Sequence, residues 1–219
     1  MPAALEKKTG SFRSILMTAV NDFRRGFLGW RNSIKEDKFP ISKNGSPDLA
    51  LYTEPLEHYI HLYDRFLEIN RKGNKADQDE REIVWSLRVH GQWGMIAKGA
   101  ASIPHALKLL GNPNPDARED GASILTAVGK DANNASSLVA ALKAETDDTA
   151  RTAIIEALGG CRSRGSIPAL AEIIHSKAVD EETRHTAICS LGKIIGSDLE
   201  KQPDPVKSAA EWLKQHDHQ

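Results

Sequence analysis

Residues of three kinds stand at spacings that invite a chemical reading. Three arginines, Arg118, Arg151 and Arg184, recur 33 residues apart. Cations repeated in phase can form a ladder that grips an anionic partner, or each can reach an acidic or carbonyl group in a neighbouring unit and hold the units in register. The regular phase favours the second, structural use. His58 and His61 stand three apart, so a helix brings both imidazoles to one face, yet we expect no metal there and none at the terminal "HDHQ". Cys161 sits in "GGCRSRG" beside Arg162 and Arg164, cations of the kind that lower a thiol pKa. We expect an ordinary free thiol in a flexible turn. Cys189, between Ile188 and Leu191, is expected to be buried in a helix, and Trp85 and Trp93, which bracket "SLRVHGQ", are expected to pack in the core.

The remaining signals argue against a catalytic centre. The chain has no nucleophile elbow, phosphate loop, paired-cysteine metal motif or dinucleotide fingerprint, so no cofactor is predicted and a non-enzyme is the preferred reading. Of 219 residues, 27% are charged, 40% hydrophobic and only 5% aromatic, a balance suited to helices packed through Ala, Leu and Ile. Lys and Arg (29) nearly cancel Asp and Glu (30). The balance is uneven along the chain. Residues 1–43 carry nine basic against four acidic side chains, about +5, and residues 100–219 carry thirteen against seventeen, about −4. An acidic repeat region does not suit a phosphate backbone, so nucleic acid is not the expected partner. Two cysteines fit no disulfide framework, and "MPAALEKKTG" has no apolar signal core, from which we expect a cytoplasmic protein without a membrane span.

The elements that must position these residues are announced by self-similarity. The segments "NPDAREDGASIL", "DDTARTAIIEAL" and "DEETRHTAICSL" align without gaps. Asn114, Asp147 and Asp180 supply N-cap acceptors, and Pro115 takes the tolerated first helical position. Apolar residues follow each Arg by four (Ala122, Ile155, Ile188) and by seven (Leu125, Leu158, Leu191), which places them on one helical stripe. A partner helix precedes each, starting at Ile103, Ala135 and Ile167 and repeating Ala106, Leu138 and Leu170 on one face. Such a hairpin cannot bury its stripe alone and must stack on its neighbours. "PDPVKSAAEWLKQ" reads as a closing helix that turns Ala210, Trp212 and Leu213 inward. Upstream, helical stripes run from Phe12 to Trp30 and from Tyr52 to Leu67. A third helix covers about 79–90, and "GQWGMIAKG" is expected to make a turn and a final helix. The basic arm carries Arg13, Arg24, Arg25 and Arg31.

The Ile-Pro-x-Leu start in "IPALAEII", the acidic-x-x-x-Arg entry to the second helix and the Leu-Gly ends at 158–159 and 191–192 resemble HEAT-like repeats, in the short bacterial form related to phycobilisome-lyase proteins, over residues 100–196. The resemblance implies an all-α fold, a right-handed α-α superhelix, capped here by a helical N-terminal region (1–99) before the repeats and closing helix (100–219). It also raises two enzyme alternatives. One is a chromophore lyase or chaperone, with Cys161 as an attachment thiol, and the other a HEAT-like DNA glycosylase that uses Trp85 or Trp93. The preferred reading is a scaffold, adaptor or inhibitor whose second helices line a concave face that holds another protein. Counting 100° per residue from each Arg, offsets +2, +5 and +9 point away from the core. Asp120, Ser123, Glu156 and Lys193, with His185 flanking, are therefore the predicted contact residues, beside Ala153, Thr186 and Cys189.

Overall fold

The computed structural model describes residues 49–216, with Asp77 and Lys130 excepted. The predicted Phe12–Trp30 stripe, the basic arm and the "HDHQ" end beyond His216 lie outside the described residues. Among those described, every regular element is helical: α1 (Leu56–Lys72), α2 (Gln78–Ala97), α3 (Ile103–Leu109), α4 (Pro115–Val128), α5 (Ala135–Ala144), α6 (Asp148–Cys161), α7 (Ile167–His175), α8 (Glu181–Ile195) and α9 (Pro205–His216). Short 3-10 turns lead into α3, α5 and α7.

Caps set the starts of the second helices. The Asn114 side chain accepts the Asp116 amide at 3.0 Å, Asp147 that of Ala150 at 3.0 Å, and Asp180 both the amide and the hydroxyl of Thr183 at 2.8 and 2.7 Å. Four orphan N–H groups at a helix start make such acceptors worth about 1 kcal/mol each. At the far end α8 stops at Gly196 in a left-handed conformation, φ 73°.

These hairpins stack in series as an α-solenoid. The second helices form one layer, α2 against α4, α4 against α6 and α6 against α8, and each is backed by its own first helix, α1, α3, α5 or α7. The predicted stripes are the core: Ala122, Ile155, Ile188, Leu125, Leu158 and Leu191 are all at most 1% exposed, and Ala106, Leu138 and Leu170 are fully buried. One apolar cluster runs unbroken from Tyr59 to Leu213.

Several expectations are corrected. α2 does not break at "GQWGMIAKG" but continues to Ala97, because Gly91 and Gly94 lie where α1 crosses it. A Cβ on Gly94 would fall inside the Tyr59 ring, and one on Gly91 would lie 2.8 Å from Tyr63 Cβ. α6 likewise runs through Gly159 and Gly160 to Cys161, so "GGCRSRG" is helix for its first three residues and turns only at Arg162, φ 51°. Gly159 is held in the helix by its approach to α8, where a Cβ would meet Ser190 Cα at 2.8 Å. In α9 the inward residues are Ala209 and Leu213, while Ala210 and Trp212 are half-buried.

The arginine ladder also differs from expectation. Arg151 donates to the Glu145 carbonyl and Arg184 to those of Ser176 and Val179, all in the turn that precedes its own helix. Arg118 donates to Asn112 O and Pro113 O in the same way but also crosses to the next unit, with Nε and Nη2 each 2.7 Å from the Glu145 carboxylate. An Arg one turn into a helix lies beside the chain that enters that helix, so its fork closes the unit's own hairpin. Only the first arginine joins units.

Candidate interaction surface

The open side of the second-helix layer follows from helical phase. Trp85 is nine residues, or 180° of rotation, from Gly94, which faces α1. In α4, Glu119 and Ser123 each stand two residues, about 200°, from Gly121, whose missing Cβ space is closed to 2.8 Å by Ala106 O and Leu109 Cβ of α3. Trp85, Glu119 and Ser123 therefore point away from the first-helix layer. The 33-residue register adds Thr152 and Glu156 in α6 and His185 and Cys189 in α8, with Lys193 one turn beyond Cys189.

Of the predicted contact residues, Glu156, His185 and Lys193 are exposed and Ser123 is half-buried, with Ala153 and Thr186 half-buried beside them. Asp120 is corrected. It is 2% exposed, and its carboxylate is consumed by α1 and α2. Tyr63 Oη donates to Asp120 Oδ2 at 2.5 Å, and Arg88 donates from Nε at 2.7 Å and Nη2 at 3.0 Å. Offset +2 is turned towards the preceding second helix. In later repeats the small Ala153 and Thr186 stand there, whereas Asp120 meets an arginine.

Arg88 is the residue that sequence reasoning missed. Besides Asp120 it holds Glu119 at 2.9 Å and Asp116 at 3.4 Å, so one guanidinium gathers three carboxylates of α4. Burial alone would lower the pKa of Arg88, but its bonds to Asp120 and the charges of Asp120 and Asp116 carry it above the ordinary arginine range. Burial first, then the Asp120 charge, raises the Tyr63 phenol. The group is thus a locked ion cluster at neutral pH. The available signal was the acidic run Asp116, Glu119 and Asp120, which needed a cation from outside its own repeat.

Trp85 is the other correction: it is 67% exposed, not core, while Trp93 is half-buried. The thiols differ from expectation as well. Cys161 is buried, with Sγ donating to Gly129 O at 3.5 Å, and burial, then Asp131, pushes its pKa up despite Arg162 and Arg164. Cys189 is half-buried in a recess of about 260 Å3. Its Sγ donates to Glu200 Oε2 at 3.1 Å, with His185 Nδ1 3.6 Å away. Burial, then Glu200, pushes this thiol up to about 11, so it is protonated and weakly nucleophilic at neutral pH. Among the described residues no group of three or more His, Cys, Asp and Glu side chains could hold a metal, and no helix is long and apolar enough to cross a membrane.

The family model for HEAT repeats matches residues 135–218. Those residues carry HEAT-like repeats. The matched HEAT stretch comprises α5 to α9, so it takes in the closing helix and leaves out α1 to α4, where Asp120 of α4 and its partners in α1 and α2 depart from the pattern of the later repeats. No curated protein matches the chain, and no solved structure does.

Proposed function

We propose that this chain is a non-catalytic interaction module, a scaffold, adaptor or inhibitor, that holds a protein partner on the open face of its second helices. The observation that carries the reading is Trp85, an indole held 67% exposed at one end of that face. Exposed tryptophans of this kind supply the large, rigid contact area of interface hot spots. Below it, the exposed Glu156 and Glu182, the latter seven residues before Cys189 and so on the same helical face, give the strip an acidic character that Lys193 only partly offsets, which fits a partner with basic or mixed charge.

The two enzyme readings draw less support. Chromophore attachment at Cys161 would need a thiol that reaches solvent, and this one is buried with a raised pKa. An exposed indole also suits base stacking, but carboxylates on the same face oppose a phosphate backbone. The deciding experiment is affinity capture from source-cell lysate with the wild type, Trp85→Ala and Glu156→Lys/Glu182→Lys, read by quantitative mass spectrometry. A partner retained by the wild type and lost from both variants supports the open face. One retained equally by all three removes it.

A further inference from the structure

On the opposite side of the molecule, α7 and α9 flank a groove of about 800 Å3. A recess one unit earlier, at the C-terminal ends of α5 and α7, is about 220 Å3 and mixes Lys143 and Arg151 with Glu172. The last groove differs in charge as well as size. Its apolar floor is Ile167, Pro168, Ala171, Trp212 and Leu213, and every ionisable side chain that lines it among the described residues can be cationic: Arg164, His175, Lys214 and His216.

We propose that this groove binds an acidic amphipathic segment of a partner protein, at a site separate from the open face of the second helices. Charge complementarity sets the sign of the ligand. Its valence follows from layout: Arg164 precedes α7 and His175 ends it, so eight helical residues, about 12 Å, separate two of the basic groups. A ligand with one carboxylate at the end of an apolar tail engages one end of such a groove. A peptide with several carboxylates around apolar side chains engages both ends and covers the floor. The wall is fixed in advance, since the Trp212 ring stacks on His216 at 4.1 Å and 11° and His216 Nδ1 bonds Trp212 O at 2.8 Å, which lowers the ordering cost of binding. The chain's own residues 1–43, with nine basic and four acidic side chains, have the wrong sign to fill it.

The test uses the full chain and three fluorescein-labelled synthetic peptides of about four helical turns, identical in their Leu and Ile face and carrying Glu, Gln or Lys on the other. The Glu peptide is expected to bind about tenfold or more tightly than the Gln peptide, to lose affinity as salt is raised, and to leave the Lys peptide unbound. In nitrogen-proton spectra the Trp212 indole signal moves on binding. The exposed pair Arg164→Glu/Lys214→Glu, with its melting temperature checked against wild type, is expected to lose the same tenfold, while Glu156→Lys/Glu182→Lys loses none. Equal binding of the Glu and Gln peptides, full affinity in the charge-reversed pair, or no binding of the Glu peptide overturns the proposal. So does binding of oleate at this groove in place of peptide, which would make it a fatty-acid site.

Discussion

The junction between α2 and α4 and the junctions among α4, α6 and α8 perform the same task with different materials. Where α2 meets α4, a guanidinium with three carboxylates and a phenol fills the contact, and the rings of Tyr63 and Phe66 pack edge to face beneath it at 5.2 Å. Where α6 meets α8, the contact is made by small and apolar residues, with Gly159 against Ser190 among Ile155, Leu158 and Leu191. Repeated units can share one apolar solution because each presents the same stripe to the next. The α1–α2 hairpin presents a different surface, and a polar network matched to a single partner joins it to the repeats. Such a network specifies one pairing and is costly to break.

Substitutions can test this contrast, beginning with the largest effect. Arg88→Ala strands Asp120 as a buried carboxylate and is expected to cost about 3–5 kcal/mol. Arg88→Met with Asp120→Asn should recover a large part of that loss in denaturant titrations, which would identify the stranded charge as its source. Arg118→Ala is expected to cost about 2–3 kcal/mol, because the Glu145 side chain is only 1% exposed but keeps the amides of Thr146 and Asp147. At the apolar junction Gly159→Ala should cost about 1–3 kcal/mol by pressing α6 off Ser190. Arg184→Ala removes bonds to carbonyls within one hairpin and should cost about 1 kcal/mol, less than Arg118→Ala, and equal losses at the two sites would contradict the assignment of only one inter-unit arginine. Trp85→Ala should leave the melting midpoint unchanged within about 0.5 kcal/mol while it weakens capture of the partner.

Acid sharpens the same comparison. The bond from Arg118, opposed by burial and helped by the Thr146 and Asp147 amides, holds Glu145 below its ordinary value of 4.5. A carboxylate depressed in the folded state stabilises it fully above the ordinary value and loses that effect as pH falls through the lower folded value. The melting-temperature gap between wild type and Glu145→Gln should therefore be constant from neutral pH to about 5 and narrow below about 4. A gap that stays constant into acid would mean that Glu145 acts through shape alone.

Helix starts at Ile103, Ala135 and Ile167, the caps at Asn114, Asp147 and Asp180, and the buried Leu125, Leu158 and Leu191 were all legible in the chain, since each depends on neighbours within about two turns. The open strip was legible only in part. Glu156, His185 and Lys193 follow from phase, but Asp120, counted outward on its own helix, faces the preceding second helix and is buried by Tyr63, 57 residues away, and Arg88, 32 away. Periodicity says where a side chain points relative to its own helix and nothing about what stands opposite. The glycines show the same limit: Gly91, Gly94 and Gly159 read as breaks, yet each lies within a helix at a close helix crossing.

By itself, then, the amino-acid order determined the helical period, the caps, the hairpin unit and the need for units to stack, because these arise from short-range backbone hydrogen bonding and from an apolar stripe too wide for one hairpin to cover. Only the tertiary structure decided that Arg88 would gather the acids of α4, that Trp85 would stand in solvent, and that α7 and α9 would part to leave a cationic groove. Those outcomes depend on which surfaces meet across 30 residues or more, and packing selects that meeting after the local structure is already in place.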